Sequence, residues 1–295
     1  MTDLHPLSYG IPKMRGRPPC ISTFFNIFTK KTMDYKSIVE QVSKAAKIVG
    51  DFLRTERANS SPTIEIKGKN DFVTFYDKEA EKRIIESLKN IVPEAGFITE
   101  EETETEKGEI YNWIIDPIDG TTNFIHGLFP YCISIALTKN DEIVVGVIYE
   151  VGLDECFSAY KGGGAWLNGE KISVTENATI EDSLIATGFP YSNFSLMDEF
   201  IKSLHFFMQN SHGMRRMGSA AADLAYVACG RFDAFYEYNL KPWDVAAGAI
   251  IVKEAGGIVS DFSGNDDFLF GREIIATNSK IYNVFQEKVE DFLKK

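Results

Sequence analysis

Apolar side chains recur every three to four residues from Asp34 onward, which is the spacing of one face of a helix. A short extended stretch, KGKNDFVTFYD, follows this pattern, and Asp77 then stands where a helix N-cap is expected, ahead of KEAEKRIIESLKNI. Pro93 ends the second pattern. The segment therefore predicts two amphipathic helices, the first of which buries Ile38, Val42, Ala45, Val49, Phe52 and Leu53.

The middle of the chain changes to the patterns of β-strands. The run YNWIIDPIDG predicts a buried strand that stops at its carboxylates, after the strand tip GFIT and an acidic loop. A meander is predicted from YCISIALT, IVVGVIYEV and ECFSAYKGGGAWLNGEKISV, with a turn at 139–142. A hairpin is predicted at Asn168–Gly169, because Asn-Gly favours tight hairpin turns.

Beyond Asp182, predicted strands and helices alternate. The strands are SLIATGF, residues 214–217, FDAFYEY, GGIVSDF and EIIATN, and the helices lie near 198–209, from Ser219, from Pro242 and over 280–293. This order predicts an α/β or α+β sandwich, with helices layered on largely antiparallel sheets. We expect two halves, residues 33–180 and residues 181–295.

The first 32 residues follow neither period. They are rich in proline, basic residues and turn formers, and they lack the long apolar core and small-residue cleavage site of a secretory signal. We therefore expect a disordered extension at residues 1–32, upstream of a natural start at Met33. A transit peptide is the alternative interpretation.

Composition and charge restrict the function. The chain of 295 residues is 44% hydrophobic and 25% charged, as in soluble globular proteins. Its apolar runs are shorter than the ~20 residues of a membrane span, and its net charge of −12 argues against a nucleic-acid-binding surface. Four scattered cysteines, without a C-x-x-C pair, favour reduced thiols over disulfides or zinc. We expect a cytoplasmic protein with neither a membrane nor a nucleic acid as direct partner.

The stretch WIIDPIDGTTNF places two carboxylates where the predicted buried strand ends. Asp116 ends the strand, Pro117 bars a helix from following directly, and Gly120 permits close approach of the main chain to a ligand. GTTNF would open a short helix whose first amides, those of Gly120 and Thr121, can bind an anion. Oxygen ligands without His or Cys favour Mg²⁺ or Mn²⁺. The alternative is a turn in which Asp116 caps the helix and Asp119 faces solvent.

Other acids stand at the ends of other predicted elements. Glu100 and Glu101 follow the strand tip GFIT, and Asp244 stands at a helix start in KPWDVAAG, as Asp77 does in its own segment. Each acid taken singly is better explained as a helix cap or a solvated side chain than as a metal ligand. Converging carboxylates would repel one another unless cations neutralised them. The residues alone favour metal-assisted phosphoryl chemistry only slightly.

WIIDPIDGTTNFIHG and WDVAAGAIIVKEAGG, with MRRMGSAAADLAYVACGRFDAFYE between them, closely resemble the inositol monophosphatase family of Mg-dependent, lithium-sensitive phosphatases. The resemblance runs from about Met33 to the C-terminus. It implies the layered α-β-α-β-α sandwich of the sugar phosphatases, with metal and phosphate bound by residues 33–180 and the substrate recognised by residues 181–295. It also implies a homodimer, which we further expect because the apolar meander around Ile143–Tyr149 offers more hydrophobic strand than one face can bury.

The resemblance implies roles for individual residues. Two to three Mg²⁺ ions, for which Mn²⁺ can substitute, would be held by Glu100, Asp116, the carbonyl of Ile118, Asp119 and Asp244. Thr99 stands where the family usually has glycine. Glu100, Thr121 and Asp77 would be catalytic, and the last two would position and deprotonate the attacking water. Contacts to the substrate would come from Asp119, Gly120, Thr121, Gly218, Ser219, Ala220 and Glu237.

The resemblance leaves the roles of two basic residues open. Lys67, with Lys69 as the competing register, matches a basic residue near the family's site. Arg216 is open between a place in the site and an ion pair at an interface.

The implied reaction is hydrolysis of a phosphate monoester by direct in-line attack of metal-activated water, with myo-inositol phosphate as the favoured substrate. Thr122-Asn123 after Asp-Gly-Thr favours this branch over adenosine-bisphosphate phosphatases, which typically carry a lysine there. Two alternatives stay open. One is a phosphatase for another sugar, polyol or histidinol phosphate, and the other is a non-catalytic partner of the transcription or ribosome machinery, as some bacterial relatives are.

Overall fold

The computed structural model describes residues 1–2, 33–59, 64–68, 71–191 and 193–293. Residues Asp34–Lys295 form one compact unit with a mixed α/β fold. Residues 3–32 of the extension predicted at residues 1–32 lie outside the described residues, as do Lys69 and the side chain of Lys67. None of the helices in the described ranges combines the length and the apolar character that crossing a membrane requires.

A seven-stranded sheet dominates the first half. Its order is β3-β4-β5-β6-β7-β8-β9, with β3 parallel to β4 and every later pair antiparallel, as the predicted meander requires. A separate antiparallel hairpin, β1-β2, precedes it. The elements are α1 (Tyr35–Asn59), β1 (Ile64–Gly68), β2 (Asp71–Thr74), α2 (Phe75–Ile91), β3 (Gly96–Thr99), β4 (Tyr111–Asp119), α3 (Thr121–His126), β5 (Cys132–Lys139), β6 (Glu142–Glu150), β7 (Glu155–Tyr160), β8 (Ala165–Leu167) and β9 (Glu170–Ile172).

A five-stranded sheet of order β11-β10-β12-β14-β13 forms the second half. β10 is parallel to both its neighbours, and the other pairs are antiparallel. Its elements are β10 (Leu184–Thr187), α4 (Met197–Asn210), β11 (Gly213–Arg215), α5 (Ala220–Ala228), β12 (Ala234–Tyr238), α6 (Pro242–Glu254), β13 (Ile258–Ser260), β14 (Glu273–Thr277) and α7 (Tyr282–Leu293). The two sheets lie on either side of the boundary predicted near residue 180, and a division into domains there stays a prediction.

The layers follow the order α-β-α-β-α, which confirms the predicted sandwich. α1 and α2 cover one face of the seven-stranded sheet, and α5 and α6 lie between the two sheets. α4 and α7 cover the far face of the five-stranded sheet with an aromatic cluster that includes Phe200, Phe207 and Phe285. α6 approaches β6 closely at Gly146, where a Cβ would lie 2.7 Å from the carbonyl oxygen of Ala247. The central helix layer is therefore held against both sheets.

Three local expectations were wrong. α2 begins at Phe75, so Asp77 lies within its first turn and is not its N-cap. β4 does not end at Asp116, because its pairing with β5 resumes at Asp119 beyond a bulge. The apolar strand β6 has no surplus face, since α1 and α6 of the same chain cover it from both sides. The hydrophobicity of β6 therefore gives no support to a dimer.

Candidate active site

A cavity of about 360 Å³ opens where the two halves of the unit meet. It lies at the end of β4, and its other walls come from the first turns of α5 and α6 and from the end of β12. Of the twelve residues to which the resemblance gives a role, all but Asp77 line it: Glu100, Asp116, Ile118, Asp119, Gly120, Thr121, Gly218, Ser219, Ala220, Glu237 and Asp244.

The bulge in β4 explains how two aspartates three positions apart reach the same cavity. In a regular strand, residues i and i+3 point to opposite faces. The register between β4 and β5 shifts between Asp116 and Asp119, where Pro117 interrupts the ladder. The amide of Ile118 donates to Oδ1 of Asp116 at 2.9 Å, which fixes that carboxylate within the bulge.

Asp244 completes a cluster with these two aspartates. One carboxylate oxygen from each of Asp116, Asp119 and Asp244 lies within 4.8 Å of the others. Asp244 is also a helix cap, because its Oδ2 accepts the amide of Lys241 at 2.7 Å at the start of α6. Ser134 of β5 donates to the carbonyl of Trp243 at 2.9 Å and holds that helix start beside the cluster. Capping and membership of the cluster are therefore not alternatives for Asp244.

The carboxylates of the cluster strongly disfavour one another's charge. Burial raises the pKa of Asp116 well above its usual range, and Glu100, Asp119 and Asp244 raise it further. Burial also raises the pKa of Asp244, with Asp119 as the next cause. Asp119 reaches a pKa of about 6 through burial, which hydrogen bonds from Ser219 and Ala221 partly oppose. A cluster of oxygen donors that repel one another in a buried site fits a hard divalent cation.

The first turn of α3 borders this cluster. Gly120 precedes the helix with φ of 95°, a left-handed conformation that favours glycine, and a Cβ there would lie 3.1 Å from the carbonyl oxygen of Pro130. The Thr121 hydroxyl lies 3.2 Å from Oδ1 of Asp77 and 3.0 Å from the carbonyl oxygen of Ile118. Asp77 is buried and does not itself line the cavity, but it accepts the hydrogen bond of Thr121, which does. The first amides of the helix have no partners within it and are available to an anion.

The far side of the cavity carries a different set of groups. Burial and the charge of Asp119 raise the pKa of Glu237, at the end of β12, to about 8, although Arg216 opposes the shift. Gly188 leaves room for the Glu237 carboxyl, which a Cβ at that position would meet at 2.0 Å. Arg216 lies in the cavity wall with its guanidinium 5.6 Å from the centroid of the Phe189 ring. Of the two alternatives left open for Arg216, a place in the site or an ion pair at an interface, the structure shows a place in the site.

Two of the lining residues with ionisable side chains, Tyr191 and Asp223, were not singled out from the sequence. Tyr191 lies in the loop between β10 and α4, and burial and the carboxylates of Asp244 and Glu237 raise its pKa. The aperiodic stretch GFPYSNFS gave no signal for it. Asp223 is buried in α5, where it is the only charged residue of an otherwise apolar helix. That isolation in AAADLAYVA is a signal that could have identified it.

The chain is similar to known proteins over most of its length. The profile of the inositol monophosphatase family matches residues 34–293. A putative Nus factor SuhB of Neisseria meningitidis serogroup B is 42% identical over 240 residues, which cover 81% of this chain and 92% of that protein. The inositol-1-monophosphatase of Mesorhizobium japonicum is 40% identical over 228 residues, which cover 77% of this chain and 86% of the relative.

A solved structure shows the same architecture. The IMPase of Thermotoga maritima superimposes with a TM-score of 0.80 at 37% identity, over 88% of this chain and 98% of that one. The match to the family covers residues 34–293, which include both halves of the cavity.

Proposed function

Because the chain belongs to the inositol monophosphatase family, we propose that it is a Mg²⁺-dependent phosphatase that hydrolyses myo-inositol 1-phosphate to myo-inositol and phosphate. The observation that carries this proposal is the approach of the Asp116, Asp119 and Asp244 carboxylates to within 4.8 Å, beside the first turn of α3. The cluster of acids can bind divalent cations, and the helix amides beside it can bind a phosphate group, so the site suits a phosphate ester together with metal ions.

The metal-binding residues in this proposal are Glu100, Asp116, the carbonyl of Ile118, Asp119 and Asp244, which would hold two to three Mg²⁺ ions. When bound, the ions supply counter-charge to the phosphate and the leaving alkoxide and acidify the attacking water. The chain itself supplies position and proton transfer. The amides of Gly120 and Thr121 bind phosphate oxygens, and the Thr121 hydroxyl, beside Asp77 at 3.2 Å, orients the water and relays its proton toward that aspartate.

The second half of the unit would recognise the alcohol. Glu237 accepts a hydrogen bond from a hydroxyl of the substrate, and Asp119 accepts another. Gly218, Ser219 and Ala220 form the wall against which the ring lies. Carboxyl groups that need hydroxyl partners reject analogues lacking them, because the buried acceptors would then be left unpaired.

Phosphate release from a panel of monoesters tests the proposal. The panel contains myo-inositol 1-phosphate, a sugar phosphate, histidinol phosphate and 3′,5′-adenosine bisphosphate, each with Mg²⁺ and with EDTA. We expect metal-dependent turnover that is fastest with the inositol phosphate. Faster turnover of another monoester would replace the substrate but keep the reaction, and no release from any ester by folded protein would refute the phosphatase function.

A second candidate function follows from the relatives named Nus factor SuhB, which include proteins 42% and 41% identical to this chain. In this proposal the chain binds a protein of the transcription or ribosome machinery, independently of catalysis. Binding of transcription complexes by the wild type and by the inactive variant Asp244→Asn distinguishes the two roles. Equal binding by both proteins supports a separate role, and no binding by either leaves catalysis as the function.

Three further properties stay predictions from the family. Static light scattering at micromolar concentration would reveal the expected homodimer, and a monomer mass would contradict it. Phosphate release should fall in millimolar LiCl. A cytoplasmic location is expected, and fractionation of cells would test it.

A further inference from the structure

Asp223 is a buried acid that the proposed chemistry does not use. It lies in α5, its side chain is 1% exposed, and it forms part of the cavity wall. Its amide bonds to the carbonyl oxygen of Ser219 at 3.0 Å, as expected in a helix. Its Oδ1, by contrast, is buried without a hydrogen-bond partner. A buried carboxyl oxygen without a partner is energetically unfavourable and calls for an explanation.

Other buried acids of this chain show what a structural carboxylate looks like. Asp233 accepts hydrogen bonds from Thr175 at 2.5 Å, from Asn177 at 2.9 Å and from the amide of Leu184 at 2.8 Å. Glu81 accepts the amides of Glu101 and Thr103, each at 2.9 Å. These acids hold loops in place. Asp223 holds no such segment, so a purely structural role does not account for it.

The surroundings of Asp223 indicate what could satisfy it. Two acids on other elements, Glu237 of β12 and Asp119 of β4, line the same cavity, as does Arg216, whose charge opposes the effect of these acids on the pKa of Asp223. Burial, Glu237 and Asp119 together raise the pKa of Asp223. A hydroxyl can serve the carboxyl in either protonation state, because it both donates and accepts. The last torsion of an aspartate is soft, so either oxygen can turn toward the cavity.

We propose that Asp223 is a second hydroxyl-recognising carboxyl beside Glu237, which makes the site selective for phosphate monoesters of polyols with at least two free hydroxyl groups. This inference rests on the proposed phosphatase function and defines the class of its substrate. The phosphate and the cations occupy the β4 side of the cavity, and Asp223 meets the alcohol from α5. A substrate whose alcohol portion lacks hydroxyls leaves Asp223 unpaired.

Two esters that differ in their alcohol test the inference. Kinetic constants are measured with myo-inositol 1-phosphate and with phenyl phosphate, whose ring carries no hydroxyl. In Asp223→Ala, the ratio of kcat/KM for the inositol ester to that for the phenyl ester should fall at least tenfold, mostly through KM. Asp223→Asn keeps the volume and one acceptor and should lower the ratio less. Asp233→Asn, the matched buried control, should lower the Tm without changing the ratio.

Each outcome decides the inference separately from the proposed function. Equal losses with both esters would show that Asp223 acts on the structure of the site, and an unchanged ratio would show that it contacts no hydroxyl. Wild type that hydrolyses neither ester would remove myo-inositol 1-phosphate as the substrate, and the full panel of monoesters would then decide whether the protein is a phosphatase. In that case the inference is tested by calorimetric titration of wild type and Asp223→Ala with myo-inositol 1-phosphate. At least tenfold weaker binding by the variant supports the inference. Equal binding by both proteins, or no binding by wild type, overturns it.

Discussion

The hydroxyl of Ser219 donates a hydrogen bond of 2.6 Å to Oδ2 of Asp119, which lies in the other half of the unit. The amide of Ala221 donates to the same oxygen, also at 2.6 Å. The Ser219 oxygen in turn accepts the amide of Ala222 at 3.2 Å and caps α5. The direction of the Asp119 carboxylate is therefore set by the first turn of a helix a hundred residues further along the chain.

Replacing Ser219 tests this relationship. Ser219→Ala removes both the helix cap and the donor to Asp119, so the free energy of unfolding should fall by about 1 kcal/mol. Turnover should fall about tenfold, and more Mg²⁺ should be needed for half-maximal rate, because Asp119 is less firmly oriented. Ser219→Thr, which keeps the hydroxyl, should stay near wild type. Chemical denaturation and Mg²⁺ titration of phosphate release give the two readouts, and an unaltered Mg²⁺ dependence in Ser219→Ala would contradict the argument.

Replacing Asp244 tests the cluster. Asp244→Asn keeps the shape of the side chain but removes one charge, and turnover should fall roughly a thousandfold at ordinary Mg²⁺. Without metal the variant should unfold at the same temperature as wild type or higher, since one repulsive charge has gone. Asp261→Asn is a suitable control, because Asp261 is buried outside the cavity and accepts the amide of Asn265 at 2.8 Å. If folded Asp244→Asn turned over substrate as fast as wild type, Asp244 would serve only as a helix cap and not as a metal ligand.

Glu237, on the far wall of the cavity, makes the stability of the protein depend on pH. Glu237 has a pKa of about 8 in the folded protein, raised from 4.5. Between these values the unfolded chain has already lost the proton that the folded protein retains, so the free energy of unfolding falls as pH rises. Glu237→Gln removes this effect. In EDTA, the variant should equal wild type near pH 4 and exceed it by about 2 to 4 kcal/mol at pH 8.

Denaturant unfolding at a series of pH values between these limits measures the effect. The difference between the two proteins should grow across the window and level off above pH 8. A difference that does not vary with pH would show that Glu237 ionises freely in the folded protein.

The pair of Thr121 and Asp77 predicts a loss confined to the chemical step. Thr121→Val preserves the shape but removes the hydroxyl that lies 3.2 Å from Asp77. We expect kcat to fall at least a hundredfold with a small change in KM, because the water loses its orienting group while the phosphate-binding amides remain. Thr121→Ser should keep most of the activity. Steady-state kinetics on the three proteins is the measurement, and a valine variant with wild-type kcat would exclude the relay.

The sequence predicted what depends on local spacing. The helices α1, α5 and α6 and the hairpin at Asn168–Gly169 follow from period and turn chemistry, and the structure confirms them. The acids of the site were named because carboxylates stood at the ends of predicted elements and because two motifs resembled a family. Their convergence needed the resemblance, since no pattern within a single segment shows that α6 meets β4.

What the sequence did not predict depends on distant partners. The bulge that turns Asp116 and Asp119 to one side is defined by pairing with β5 and not by the residues of β4 alone. The burial of β6 on both faces depends on α1 and α6, which come from opposite ends of the unit. Asp223 was not singled out: its isolation in an apolar helix was a signal in the sequence, but its unpartnered carboxyl oxygen is visible only in three dimensions.

The position of α6 between the two sheets has a consequence for synthesis of the protein. The ribosome completes β4 to β9 long before α6, yet α6 covers one face of the strands from β4 to β8. A nascent chain that stops before Pro242 therefore exposes the apolar face of a finished sheet and carries two aspartates of the cluster without the third. Such a chain is at risk of aggregation, because an uncovered apolar sheet face can associate with other chains. Emergence of α6 ends this exposure and completes the acid cluster in the same step.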